Sequence, residues 1–266
     1  MTALAARRRH PLALVVLIAV ALMATGALYA VLAPKPAMAA SADADTIAQG
    51  KKLFLGNCAT CHGLNAQGLQ RDNGDLIGPT LIGVGAASVD FQVGTGRMPL
   101  AGPGVQGPQG PVRFSTTEIN QMAAYIASLA PGPGVPAAEF SNGEGGDVAK
   151  GGAIFRVNCA MCHNFAGAGG ALTEGKYAPA IENISGQHIY EAMTTGPQAM
   201  PVFNDANLTP ENKNDVIAYL NSIEEESAAG GHPLGNLGPV TEGLFAWIVG
   251  IGALIGLSVW LGAKAA

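Results

Sequence analysis

Two short motifs, Cys58-Ala59-Thr60-Cys61-His62 and Cys159-Ala160-Met161-Cys162-His163, stand 101 residues apart and together use all four cysteines of the chain. Cys-x-x-Cys-His is the signature of covalent c-type haem attachment. Two thiols three apart share one helical turn, where each can bond a vinyl group of the same porphyrin, and the adjacent His can reach the iron. Disulfides or zinc sites would draw on the same thiols. The His follows directly in both copies, however, and no further cysteine exists to complete a tetrahedral set. Two haem groups, and hence electron movement, are the expectation.

The rest of the chain repeats around these motifs. Gly50 and Phe54 precede the first as Gly151 and Phe155 precede the second, and both lead-ins, 46–57 and 147–158, read as short helices. Each repeat closes with a further helix. In the first, Ser115 and Glu118 form a capping box ahead of the helically spaced Ile119, Met122, Ala123, Ile126 and Leu129. In the second, Thr209 caps, Pro210 suits the first helical position, and Val216, Ile217, Leu220 and Ile223 make the apolar stripe. Tyr125 and Tyr219 align. The repeat offset shortens between motif and closing helix, so the first copy carries an insertion, most simply the Gly/Pro run 102–111. Gly/Pro-rich composition also marks 131–146 and 230–239 as loop or hinge. The fold class expected is mostly α. Its parts are an N-terminal apolar segment (1–40), a first domain (41–131), a linker (132–146), a second domain (147–229), a linker (230–242) and a transmembrane helix (243–263).

An iron held by His on one face needs a second ligand, or an open site, on the other, and methionine there raises the reduction potential. After His62 the first repeat offers Met98 and Met122; Met122 falls on the closing helix's apolar stripe and reads as core. Met98 precedes Pro99 and Met200 precedes Pro201, 36 and 37 residues past their histidines. That recurrence makes His62 with Met98, and His163 with Met200, the expected ligand pairs. His188 and Met193 are rivals in the second repeat but have no counterparts in the first, so they read as scaffold. Met161, inside the motif, cannot reach around the ring. A ligating His donates its other ring proton to a carbonyl or carboxylate. Gly78-Pro79-Thr80-Leu81 and Ala178-Pro179-Ala180-Ile181 stand at matching places, which nominates the carbonyls of Pro79 and Pro179, with a simple turn-shaping role as the alternative.

The apolar excess lies at the two ends. After Arg7, Arg8 and Arg9 the stretch 11–33 is uncharged, and Ala37-Met38-Ala39 resembles a signal cleavage site, so the segment reads either as a secretory signal or as a retained anchor. The stretch 244–263 is long enough as a helix, about 30 Å, to span a bilayer. Trp247 and Trp260 near its ends suit interfacial anchoring or plain lipid contact. Glu242 before it and Lys264 after it, with the arginine triplet, place both termini in the cytoplasm and the two domains outside it.

Helical lead-in, Cys-x-x-Cys-His, a Gly-Pro-x-Leu-like turn, Met-Pro and closing helix together resemble the class I cytochrome c family, over about 45–130 and 147–228. Ala178 departs from the glycine that the pattern favours. In the order of its parts the chain looks like the dihaem cytochrome c subunits of actinobacterial bcc-type menaquinol reductases. That resemblance implies partners: a cytochrome b subunit, a Rieske iron-sulfur subunit and a haem-copper terminal oxidase, in a respiratory chain at the cell membrane. It also implies that two fused haems replace a mobile cytochrome c. His and Met on both irons leave no open position, which argues against a dihaem peroxidase and for one-electron transfer. The subunit is then the electron-transfer part of a quinol–cytochrome c reductase and not a catalyst alone. The alternatives are an electron-acceptor subunit of an extracytoplasmic dehydrogenase, or a subunit of a cbb-type oxidase. Residues 141–242 hold 4 Lys+Arg against 12 Asp+Glu, while 41–140 hold 5 against 7, so the second domain is the more acidic. An acidic face of this kind either steers a basic partner or is simply solvated.

Overall fold

The computed structural model describes residues 11–32, 42–102, 104–225, 234 and 239–265. The arginine triplet, Ala37-Met38-Ala39 and most of the 230–242 linker lie outside the described residues. The chain forms two compact units, Met1–Met38 and Ala39–Ala266. The first carries helix α1 (Pro11–Leu32), an uncharged and almost wholly apolar run. It is long and apolar enough to cross a membrane.

The second unit builds one pattern twice. The first repeat runs α2 (Ala44–Asn57), one-turn α3 (Ala59–His62), β1 (Leu69–Gln70), β2 (Leu76–Gly78), α4 (Gly85–Gly94) and α5 (Thr116–Leu129). The second runs α6 (Val148–Asn158), one-turn α7 (Ala160–His163), β3 (Gly170–Ala171), β4 (Tyr177–Ala178), α8 (Gly186–Thr195) and α9 (Pro210–Glu225). Both two-stranded ladders are antiparallel. The chain ends in α10 (Pro239–Phe245), a π-helical segment Ala246–Ile251 and α11 (Gly252–Ala265), which together form a second apolar span, Thr241–Lys264.

Local chemistry starts the lead-in and closing helices. Asp43 accepts the Thr46 N–H at 2.8 Å and Asp147 the Lys150 N–H at 3.0 Å, so both lead-in helices are aspartate-capped. Ser115 and Glu118 close a reciprocal capping box on α5. The Thr209 hydroxyl accepts the Asn212 N–H at 3.3 Å, with Pro210 as the first residue of α9.

In each repeat the lead-in helix crosses the closing helix at a glycine. A Cβ on Gly50 would overlap the Gln121 carbonyl, and one on Gly151 the Asp215 carbonyl. One turn further on, Phe54 meets Tyr125 with ring centroids 5.3 Å apart, and Phe155 meets Tyr219 at 5.5 Å. The paired residues Gly, Phe and Tyr that recur in the sequence are thus the crossing itself. Each core grows from it: Phe54, Ile119, Met122 and Ile126 in the first repeat, Phe155, Val216, Ile217 and Leu220 in the second.

The Gly/Pro linker is not the free hinge its composition suggests. The Ala87 N–H donates to the Pro133 carbonyl at 3.1 Å, tying the start of the linker to α4. At its far end Asn214 accepts from the Gly143 N–H at 2.9 Å and donates to the Glu144 carbonyl at 2.9 Å. Backbone that cannot pair within a helix pairs here with the domains it joins.

Candidate haem sites and the seam between them

Each lead-in helix delivers its thiols directly. The Cys58 N–H donates to the Phe54 carbonyl and the Cys159 N–H to the Phe155 carbonyl, both at 2.8 Å. The next turn then bonds His62 N–H to the Cys58 carbonyl at 3.0 Å and His163 N–H to the Cys159 carbonyl at 2.9 Å. Cys, Cys and His are thereby presented from a single turn. The chain reverses immediately afterwards at residues of positive φ, Gly63 (+80°) and Asn164 (+64°), conformations that favour glycine and asparagine. No two of the four cysteines form a disulfide, and burial pushes the Cys58 and Cys159 thiols up to about 11, with the neighbouring Cys61 and Cys162 adding to the effect.

The reversal brings a proline carbonyl back over each histidine. His62 Nδ1 lies 2.7 Å from the Pro79 oxygen and His163 Nδ1 3.0 Å from the Pro179 oxygen. A carbonyl only accepts, so Nδ1 carries the proton and Nε2 keeps its lone pair. Burial lowers the His163 pKa, partly offset by the Pro179 bond, which favours the neutral, ligating ring. At Gly78 a Cβ would press on the Cys61 carbonyl at 2.5 Å, yet the second repeat carries Ala178, buried, with its proline carbonyl still within hydrogen-bond distance.

Cys159, Cys162, His163, Pro179 and Met200 line one cavity, with about 1160 Å³ of empty space including its mouth. Its donors are a thiol pair, an imidazole and a thioether, the set that haem c requires, set among apolar side chains that suit a porphyrin face. Met193 and His188 line the same cavity. Met193 is also part of the core, and His188 Nε2 faces Asp90 at 3.6 Å, so each has a structural task as well. Met161 is 84% exposed. In the first repeat Met98 and Cys58 both pack against the core cluster that holds Phe54 and Val89, while Met122 is buried in that core.

Several residues that the motifs did not single out meet where the repeats join. The run 102–111, read from sequence only as an insertion, clasps the second repeat. Gln106 exchanges two hydrogen bonds with the Tyr177 backbone, both at 2.8 Å. Gln198 accepts the Gly107 N–H at 2.8 Å and donates to its carbonyl at 3.1 Å. Beside them α4 meets α8, where Asp90, His188 and Glu191 place one ligating atom each within 4.8 Å of the others. Gln187 donates to Asp90 at 2.7 Å and to Glu191 at 3.3 Å. Burial pushes the Glu191 carboxyl up to about 9, helped by the Asp90 charge. Burial also pushes Asp90 upward, but hydrogen bonds from His188, Glu191 and Gln187 outweigh it and hold Asp90 below its usual range.

A family model described as cytochrome c matches residues 47–130, and one described as cytochrome C oxidase, cbb3-type, subunit III matches 146–220. The cytochrome bc1 complex cytochrome c subunit of Mycobacterium leprae is 45% identical over 258 residues, covering 94% of this chain and 87% of that one. The subunits of the same name from Corynebacterium efficiens and Mycobacterium tuberculosis are 44% and 43% identical, covering 84% and 97% of this chain and 78% and 93% of theirs. The chain belongs to the cytochrome bc1 complex cytochrome c subunits. Family membership and the two cytochrome c domains account for the site chemistry: haem c is the bound group and electron transfer is the work. The two apolar helices that flank the domains are long enough to anchor such a subunit in a membrane.

Proposed function

We propose that the chain holds two haem c groups and relays electrons singly from the Rieske centre of a quinol-oxidising complex to a haem-copper terminal oxidase. The observation that carries this reading is the duplication of one complete set: a thiol pair on one turn, an imidazole oriented by a proline carbonyl, and a Met-Pro methionine. In this reading Cys58 and Cys61 hold the first group and Cys159 and Cys162 the second. His62 with Met98, and His163 with Met200, ligate the irons. The carbonyls of Pro79 and Pro179 fix the imidazole rings and tune their basicity. An iron so ligated gains and loses one electron and offers no open position to a substrate.

The second domain, nearest in sequence to the C-terminal span and the more acidic, receives electrons from the Rieske subunit; the first passes them to the oxidase. A cytochrome b subunit completes the assembly. Both domains stand on the extracytoplasmic side, with the C-terminus in the cytoplasm. A mild-detergent pull-down of the tagged chain tests this. Co-isolation of b-type and a-type haem bands with quinol oxidase activity is the expected result. Recovery of c-type haem alone, under conditions that preserve membrane complexes, would instead favour a dehydrogenase partner. The order of the two domains fails if Met200→Ala leaves quinol reduction of both haems equally fast.

A further inference from the structure

One lysine and one arginine are buried among the described residues, and their surroundings differ. Lys213 is fully buried, pairs with Asp205 at 2.7 Å and bonds the Thr194 hydroxyl at 3.1 Å. Arg97 is 8% exposed, and its guanidinium lies over the Phe91 ring, 4.9 Å from the centroid. Its Nη1 is buried without a hydrogen-bond partner, and no carboxylate of the described residues pairs with it. A buried cation without a counter-ion is strongly disfavoured, and an anion placed against it would relieve that cost.

Arg97 belongs to the first domain, yet its side chain lines the second domain's cavity, with Cys159, His163 and Met200. Its backbone is well anchored for this: the Arg97 and Met98 N–H groups both donate to the Gln92 carbonyl at 2.9 Å. The clasp of Gln106 on Tyr177 holds the two domains together alongside it, and both of those residues line the same cavity. The anion that comes with haem is carboxylate, borne on its two propionate side chains, and the planar guanidinium fork matches a carboxylate bidentately.

We propose that Arg97, carried by the first domain, is the carboxylate partner of the haem held in the second. This rests on the reading that each domain holds one haem. Adjacent residues then serve different groups, Met98 its own domain's iron and Arg97 the neighbouring haem's propionate. The first domain completes the second haem's site, and the buried positive charge offsets the propionate's negative charge, which would otherwise oppose reduction. Removing Arg97 exposes that carboxylate's charge to the iron and lowers the haem's affinity for an electron.

The test is redox potentiometry of the full haem-loaded chain. Haem content is measured first: one haem per chain would sink the two-haem reading whatever Arg97 does. Arg97→Met keeps an unbranched side chain and removes the charge. A Met200→His background displaces the second haem's potential and so marks its component in the titration. The expected result is a five- to tenfold fall in the second haem's reduction equilibrium constant, at most about 59 mV for one electron, with the first haem unmoved. Arg97→Lys should restore most of it. A shift confined to the first haem would assign Arg97 to its own domain's group, and no shift in either would make it a packing residue; both overturn the proposal. If Arg97→Met does not accumulate, Arg97→Gln, uncharged and polar, takes its place. The same fall in the second haem's constant is expected, and an unchanged value overturns the proposal.

Discussion

Met98 and Met200 carry the sharpest expectation at the scale of single residues. Each is assigned an iron position that nothing else in its repeat fills by the same spacing. Met200→Ala should therefore open one coordination position per chain, so that the reduced protein binds one equivalent of carbon monoxide where the unaltered protein binds none. Met98→Ala should open the other. If Met200→Ala binds none, one of the two rivals that line the same cavity, Met193 or His188, is the ligand instead. The residues of the attachment turn were legible because covalent haem chemistry dictates their order in the chain, and the proline carbonyls were legible because the turn recurs. Arg97 was not. A single arginine in a Gly-rich stretch carries no local signal, and its burial depends on a domain that begins some fifty residues later.

The elements follow from patterns of the same kind, read at helical period. The lead-in and closing helices announce themselves by caps and apolar stripes, and the recurring glycines fall where those helices touch. Gly50→Ala or Gly151→Ala should lower the melting temperature of the haem-loaded chain. Each added methyl meets a carbonyl of the crossing helix, and overpacking of this kind costs about 1–3 kcal/mol. Gly56→Ala, in the same helix as Gly50 but with nothing within 4 Å of its Cβ, should be neutral or stabilising by about 0.5–1 kcal/mol. Equal melting of the Gly50 and Gly56 variants would remove the crossing as the reason for the glycine. Helix α4 escaped the sequence reading for a physical reason. Ala86, Ala87, Val89, Asp90, Phe91 and Val93 are all buried, so the helix has no solvent face and shows no amphipathic period. The short ladders β1–β2 and β3–β4 are two or three residues per strand, too brief to display alternation.

At the scale of the whole molecule the seam between the repeats decides how the parts act together, and it is built from residues far apart in sequence. Gln106 with Tyr177, Gly107 with Gln198, and Asp90 with Gln187 are separated by 71, 91 and 97 positions. A prediction about pH belongs here. Glu191 is fully buried with its pKa raised to about 9, so the folded state holds a proton that the unfolded chain releases near the ordinary value of 4.5. Its contribution is complete below that ordinary value and is lost as pH rises through about 9. Thermal unfolding of the chain should thus show stability falling across that interval, and Glu191→Gln should flatten the fall; an unchanged slope in the variant would place the titrating group elsewhere. The sequence alone determined the two attachment turns, their histidines and Met-Pro elements, the helices that frame them and the apolar spans at either end. Each of these is set by covalent chemistry or by a period that repeats within a few residues. Only the tertiary structure decided that the insertion is a clasp, that the linker is tied at both ends, and that Arg97, Asp90, His188 and Glu191 meet at the seam. Those pairings depend on which surfaces pack together, and a buried charge acquires its meaning from neighbours that the local sequence does not contain.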